Sequence, residues 1–208
     1  DTPLDGTAPA LVYGYGSYEA VFEPEWDPAL PSFLDRGAVF CFAHLRGGGE
    51  LGRHWYLDGK LLTKRNTFTD TLAVCEHLVA SGAAARDRLA IRGGSAGGYT
   101  TLAALAFHDT FKAGASYYGI SDLEVLAQDT HKFESRYMDR LVGPYPAMQA
   151  TYRERSPIHA VDRLNCALIL LQGLEDKVVP PSQSEMMAAA VRKKGLPVAY
   201  VTFEGEQH

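Results

Sequence analysis

Unbroken apolar runs recur along the chain, separated by polar turns that contain glycine. Strands of a parallel sheet covered on both faces have this character, because neither face of such a strand meets water. The runs predict six strands, at residues 9–13, 38–43, 89–91, 112–118, 166–171 and 198–203.

Amphipathic segments alternate with these strands. Residues 66–80 carry one apolar stripe at helical spacing, formed by Phe68, Leu72, Cys75 and Val79. We expect Asn66 to cap this helix and Gly82 to end it. Further helices are predicted at residues 102–107, 123–127 and 182–194, whereas residues 128–146 lack a regular pattern. The alternation predicts an α/β fold with a mostly parallel sheet and helices on both faces.

The segment IRGGSAGGYTT, residues 91–101, joins a predicted strand to a predicted helix. It contains the pattern G-x-S-x-G around Ser95, which in this context is the nucleophile elbow of the α/β-hydrolase fold. Such a tight turn needs glycines beside the serine, and it strains the serine backbone so that Oγ rises above the sheet edge. The alternative is a glycine-rich turn with an incidental serine, and the flanking strand and helix disfavour it.

A serine hydroxyl becomes a nucleophile only with a base in hydrogen-bond reach, usually a histidine that a carboxylate orients. In α/β-hydrolases these residues follow the chain order Ser, Asp or Glu, His. Ser95, Asp176 and His208 have this order, and each follows a predicted strand. Glu175, next to Asp176, leaves the choice of carboxylate open at this point.

The sequence disfavours a dinucleotide site and a metal site. Residues 46–52, RGGGELG, contain a literal G-x-G-x-x-G after a strand, but the continuation is polar and aromatic and is interrupted by Gly59. A dinucleotide-binding loop should open into an apolar-periodic helix, so we expect no cofactor. The remaining histidines do not share metal-ligand spacing with carboxylates, so we expect no metal.

Composition agrees with one domain over the 208 residues, because 46% of them are hydrophobic. The net charge of −5 has both signs interspersed, which disfavours nucleic acid and membranes as partners. No apolar run approaches the roughly 18 residues of a membrane span, and no signal-peptide pattern opens the chain. Cys41, Cys75 and Cys166 lie in apolar runs, which favours reduced thiols and a cytoplasmic location.

Five segments resemble the catalytic domain of prolyl oligopeptidase-family serine peptidases: IRGGSAGGYT, QGLEDKVVPP, FEGEQH, YGYGSYE and AHLRGGGELGRHWYLDGKLLTKRNTFTD. Residues up to about Gly82 are most similar to oligopeptidase B. From Ile91 onward the chain is more similar to the acylaminoacyl-peptidase and dipeptidyl-peptidase branch. The family's N-terminal β-propeller, and the helix after its catalytic histidine, have no counterpart here. We therefore expect residues 1–208 to be a partial α/β-hydrolase domain, truncated at both ends.

The resemblance also implies roles for individual residues. It implies Ser95 as nucleophile and His208 as base, and its G-x-x-D pattern selects Asp176 over Glu175 as the orienting carboxylate. The implied oxyanion hole combines the Ala96 backbone N–H with the hydroxyl of Tyr15.

Further positions are expected to bind substrate: Tyr18, Tyr99 and Val178. Tyr18 matches an aromatic residue that lines the pocket for the side chain before the cleaved bond. Val178 stands where many relatives have an arginine that holds the substrate backbone. The segment after the nucleophile, at residues 130–133 and 137–138, lacks adjacent paired acids, and Glu134 and Asp139 are weak substitutes. An unpaired buried cation is costly, so the pocket is expected to accept apolar or aromatic side chains at least as well as basic ones.

These observations predict a serine peptidase that hydrolyses short peptides through an acyl-enzyme. One alternative is a serine esterase or lipase, because the same residues hydrolyse esters. The other is a catalytically silent fragment or binding module. The sequence does not indicate the oligomeric state.

Overall fold

All six predicted strands form, and every neighbouring pair is parallel. The computed structural model describes residues 3–129 and 137–208. Its strands are β1 (Ala10–Gly14), β2 (Val39–Ala43), β3 (Leu89–Gly94), β4 (Ala113–Tyr117), β5 (Ala167–Gly173) and β6 (Val198–Phe203). They lie in the order β2-β1-β3-β4-β5-β6, so β3 with its elbow is central and β5 and β6 lie to one side.

Eight α-helices occur in the described residues: α1 (Leu30–Leu34), α2 (Arg53–Leu57), α3 (Arg65–Ala80), α4 (Ala96–Phe107), α5 (Leu123–Asp129), α6 (Tyr137–Leu141), α7 (Gln149–Arg155) and α8 (Ser182–Lys193). Short 3-10 turns span Leu61–Thr63, Arg86–Arg88 and Pro157–Arg163. The short helices α2 and α7 escaped prediction, and α6 lies inside the stretch that lacked a regular pattern. Residues 130–136 of that stretch are outside the described residues.

The three long helices, α3, α4 and α8, pack into one hydrophobic core with the same side of the sheet. Strand side chains that point to this side are buried, such as Leu89, Ile91, Leu168 and Leu170. On the opposite side Ile169 is 36% exposed and Val201 is 39% exposed. We expected helices on both faces because the strands are apolar throughout. In the described part of the chain, long helices cover one face only.

The buried face of α3 differs from the predicted stripe. Its buried residues are Thr67, Phe68, Thr71, Cys75 and Leu78. Leu72 and Val79 are only half-buried. Two of the buried residues are threonines, which apolar periodicity does not reveal: the Thr67 hydroxyl donates to the Arg46 carbonyl oxygen in the loop after β2, and the Thr71 hydroxyl donates to the Thr67 carbonyl oxygen within the helix. Asn66 is not the cap, since α3 begins one residue earlier and the Asn66 amide donates to the Asp58 carbonyl oxygen at 2.8 Å.

Two further features concern the helices and the cysteines. No helix within residues 3–129 and 137–208 is long and apolar enough to cross a bilayer. Cys41, Cys75 and Cys166 are all free thiols, and the last two are buried.

Candidate active site

The elbow at Ser95 has the strained geometry that its sequence predicts. Ser95 has φ 56° and ψ −121°, and the helix α4 begins at the next residue. Its N–H donates to the carbonyl oxygen of Tyr117 on β4 at 2.9 Å. A Cβ at Gly93 would lie 2.3 Å from the carbonyl oxygen of Gly97, so the turn can close only around glycine. Such strain persists where the surrounding structure holds it, as at functional sites.

A continuous hydrogen-bonded chain joins the three residues predicted for catalysis. The Ser95 hydroxyl lies 2.9 Å from Nε2 of His208, and Nδ1 of His208 lies 2.8 Å from Oδ2 of Asp176. With Nδ1–H donating to the carboxylate, Nε2 is left as an acceptor for the serine proton. The residues come from three sheet positions, because Ser95 follows β3, Asp176 follows β5 and His208 follows β6.

The environment of Asp176 favours its ionised form. The carboxylate is 3% exposed, and its Oδ1 accepts the backbone N–H groups of Val178 and Val179, each at 2.9 Å. Burial raises the pKa of Asp176, but the hydrogen bonds from His208 and from the two backbone N–H groups outweigh it and lower the pKa below its ordinary value. The neighbouring Glu175 is exposed, and the side chain of Asp176 is the one that reaches His208.

The loop that carries His208 is fixed against the turn after β5. Backbone N–H groups of Leu174 and Glu175 donate to the carbonyl oxygens of Phe203 and Glu206, at 3.0 and 2.9 Å. A Cβ at Gly173 would lie 2.5 Å from the carbonyl oxygens of residues 206 and 207. The glycine of the G-x-x-D pattern therefore lets the histidine loop approach the carboxylate.

The two residues predicted for the oxyanion hole meet at the start of α4. Ala96 is the first helical residue, and the first N–H groups of a helix have no partner within it. The ring of Tyr15 lies against Gly97, since a Cβ on that glycine would be 3.3 Å from Tyr15 Cδ2. The Thr100 hydroxyl donates to the Tyr15 carbonyl oxygen at 3.1 Å and ties this turn to the helix.

An apolar pocket opens beside Ser95. Its walls include Tyr18, Tyr99 and Val178, the three residues predicted to bind substrate. The remaining walls are aliphatic and come from Ile120, Leu123, Leu126, Met138, Leu141 and Val179. Tyr18 is 40% exposed and stacks on Tyr137 with ring centroids 3.9 Å apart. The hydroxyl of Tyr99 donates to the Arg155 carbonyl oxygen at 3.0 Å, so this residue presents its ring to the pocket.

The pocket lining contains no charged side chain among the described residues. Asp139 is exposed and is not part of that lining. Glu134, with the predicted pocket residues 130–133, lies outside the residues that the structure describes. Within residues 3–129 and 137–208, no group of three His, Cys, Asp or Glu side chains could hold a metal ion.

Two residues near the hydrogen-bonded chain were not predicted. The Nε2 atom of Gln172 lies 3.4 Å from Oδ2 of Asp176, and Oε1 of Gln172 accepts a hydrogen bond from the Ser184 hydroxyl at 2.7 Å. Gln172 could have been found from the sequence, because it is a polar residue at the end of the most apolar strand. The ring of Tyr118 packs against the His208 imidazole, with centroids 4.5 Å apart. Nothing in the sequence around Tyr118 distinguishes it from the adjacent Tyr117.

A parallel sheet, a nucleophile elbow on its central strand and a serine–histidine–aspartate chain at its carboxyl edge define an α/β-hydrolase fold. The sequence profile of the prolyl oligopeptidase family matches residues 25–208. The chain belongs to this family, which confirms the resemblance found in its motifs. The division between an oligopeptidase B-like first part and a different second part stays a prediction.

Individual relatives agree with this placement. Dipeptidyl aminopeptidase BI from Pseudoxanthomonas mexicana is 55% identical over 98 residues, which are 47% of this chain and 14% of that protein. Dual function macrocyclase-peptidase POPB from Amanita bisporigera is 33% identical over 196 residues, which are 90% of this chain and 26% of that protein. The structure of a puromycin-hydrolyzing peptidase from Mycobacterium tuberculosis matches with a TM-score of 0.93 at 43% identity, over 99% of this chain and 31% of that one. The chain thus spans less than a third of each relative.

Proposed function

We propose that this chain carries the catalytic centre of a serine peptidase that cleaves short peptides through an acyl-enzyme. The observation that carries the proposal is the unbroken hydrogen-bonded chain from the Ser95 hydroxyl through His208 to Asp176. Family membership supports it, as do the names of relatives that are peptidases.

The mechanism follows from the atoms that face one another. His208 Nε2 takes the Ser95 proton while Oγ attacks the carbonyl carbon of the scissile bond. The Ala96 N–H and the Tyr15 hydroxyl stabilise the oxyanion, a contribution worth about 10²–10³ in rate for each donor. His208 then gives its proton to the leaving amine, and the acyl-enzyme forms. Water, deprotonated by the same histidine, hydrolyses this ester and restores Ser95.

The pocket suggests which substrates are preferred. Its aliphatic and aromatic walls offer no partner to a guanidinium or ammonium group among the described residues. Burying an unpaired charge costs several kcal/mol. The side chain before the cleaved bond is therefore proposed to be apolar or aromatic. Measuring kcat/KM on matched p-nitroanilides ending in Phe, Ala or Arg tests this. A preference for Arg above about a hundredfold, roughly 2.7 kcal/mol, would contradict it.

Labelling with an organophosphonate tests the nucleophile. We expect stoichiometric labelling of Ser95 and loss of both labelling and turnover in Ser95→Ala. Ser81→Ala is the matched control, since Ser81 is exposed at the end of α3, beside the residues that precede β1 and thus at the sheet edge opposite the elbow. Persistent labelling of the Ser95→Ala protein would refute the assignment. Adding p-nitrophenyl esters and puromycin, which a solved relative hydrolyses, to the panel separates amide from ester preference.

A further inference from the structure

The start of α3 lies beneath two loops at the carboxyl edge of the sheet, and the proposed mechanism leaves it without a role. Three residues there contact those loops: Lys64, Thr67 and Asp70. They belong to the KRNTFTD part of the longest family-like motif.

Lys64 is a buried amine held by neutral oxygen atoms. It is 1% exposed, and its Nζ donates to the Gly16 carbonyl oxygen at 2.5 Å, to Ser17 Oγ at 2.9 Å and to Thr67 Oγ1 at 3.2 Å. An ammonium group has three donors, and these three acceptors match them. Burial, with a smaller effect from the nearby charge of Arg155, lowers the pKa of Lys64 to about 7. Among the described residues no carboxylate pairs with Lys64, and burial of such a group is unfavourable, so its presence here calls for a reason.

The turn that Lys64 holds carries both tyrosines of the proposed site. In the chain, Gly16 and Ser17 lie between Tyr15 and Tyr18. Tyr15 packs against Gly97 in the first turn of α4, and Tyr18 lies in the pocket wall. Gly16 has φ 68° and Tyr18 has φ 62°, both left-handed conformations. A non-glycine residue keeps such a conformation only where neighbouring contacts enforce it. The lysine contacts fall on the two residues whose backbone sets the direction of both tyrosine rings.

The glycine-rich loop after β2 supports the same turn from its other side. The Thr67 hydroxyl donates to the Arg46 carbonyl oxygen at 2.5 Å, and Asp70 accepts the Arg46 backbone N–H at 2.9 Å and its guanidinium at 2.8 Å. A Cβ at Gly47 would lie 2.1 Å from the Gly16 carbonyl oxygen. The glycine in this loop thus allows two backbones to touch, which accounts for a motif that resembled a dinucleotide loop.

We propose that Lys64 is a positioning residue of the reaction, which acts by fixing Gly16 and Ser17 so that Tyr15 stays directed at the oxyanion and Tyr18 stays in the pocket wall. The inference rests on the proposed function, because it takes over the roles given there to the two tyrosines. Lys64 touches neither substrate nor the reacting atoms.

The test is a double-mutant cycle between Lys64→Met and Tyr15→Phe, with kcat and KM measured on an apolar p-nitroanilide. A misplacement of about 1 Å can cost about 10²-fold in rate, so we expect Lys64→Met to lower kcat by 10- to 100-fold. Because the effect passes through Tyr15, the double variant should be no more than about threefold slower than Tyr15→Phe alone. Lys193→Met, at an exposed position in the last turn of α8, is the control and should keep wild-type kcat.

Each outcome decides the question. A folded Lys64→Met protein with kcat within threefold of wild type, or losses that multiply in the double variant, would overturn the inference alone. A wild-type protein with neither turnover nor Ser95 labelling would overturn the proposed function and the inference with it. If Lys64→Met does not fold, Ser17→Ala and Thr67→Val each remove one acceptor of Nζ. The same non-additivity with Tyr15→Phe then supports the inference, and unchanged kcat refutes it.

Discussion

Replacing Asp176 by asparagine changes one atom of the proposed triad and keeps its shape. Oδ1 of Asp176 accepts two backbone N–H groups, from Val178 and Val179, while Oδ2 faces His208 Nδ1 and Gln172 Nε2. The asparagine oxygen should keep the Oδ1 place, because an NH₂ group there would meet two backbone N–H groups that cannot become acceptors. On the Oδ2 side His208 can change its tautomer, and Gln172 Nε2, at 3.4 Å, has the carbonyl oxygens of residues 173 and 179 as further acceptors. The NH₂ group then faces His208 Nδ1, which must accept, so the proton moves to Nε2. In that tautomer His208 no longer accepts the proton of Ser95.

The size of the loss follows from these contacts. Restoring the productive tautomer requires the amide to turn over, which leaves two buried N–H groups unpaired at about 1–3 kcal/mol each. The sum, about 2–6 kcal/mol, corresponds to a rate loss between roughly 30-fold and 10⁴-fold. The histidine also loses the charge that stabilises its protonated form. We therefore expect kcat to fall by about 10⁴, the size typical of a triad histidine held in the wrong tautomer.

The assay compares kcat of wild type, Asp176→Asn and Glu175→Gln on one p-nitroanilide, with circular dichroism to verify folding. Glu175→Gln is the matched control, since it removes the adjacent but exposed carboxylate and should change kcat less than about threefold. The reasoning about the carboxylate would be refuted if Asp176→Asn lowered kcat less than tenfold, or if Glu175→Gln lowered kcat more than Asp176→Asn does.

Three further predictions concern other parts of the structure. Gly98→Ala should abolish folded, active protein, because its Cβ would lie 2.6 Å from Gly119 Cα. Gly37→Ala meets no atom within 4 Å and costs only the strain of its left-handed φ of 77°, about 1–2 kcal/mol, so it should still fold; soluble yield and melting temperature decide. Between about pH 7 and pH 10 the lysine of the unfolded chain keeps its proton, whereas Lys64 in the folded protein loses it. The free energy of unfolding, measured with urea, should therefore rise with pH more steeply for wild type than for Lys64→Met. Equal dependence on pH in the two proteins would contradict this. Tyr118→Ala should lower kcat more than KM rises, since its ring packs on His208; an effect on KM alone would contradict that role.

Much of the fold could be predicted because burial is expressed in the polarity of neighbouring residues. The apolar runs that end at Tyr13 and Leu171 predict strands without any knowledge of the strands they pair with. The observed strands β1 and β5 agree with these runs within two residues. The glycines around Ser95 likewise state a local requirement, since only they permit the turn. Chain order then placed Asp176 and His208 at strand ends, and all parallel strands end at one edge of the sheet.

Only the tertiary structure determines the contacts between segments that are distant along the chain. Lys64 and Gly16 are 48 positions apart, and their hydrogen bond exists because β1 lies between β2 and β3 and brings both loops over α3. Thr67 of α3 is buried for the same reason, since its hydroxyl reaches the loop after β2, and a stripe drawn through apolar residues alone leaves it out. The contact of Tyr118 with His208 and the cover of one sheet face by all three long helices also depend on this arrangement. A side chain's own polarity records whether it tends to be buried, but the strand order determines what it is buried against.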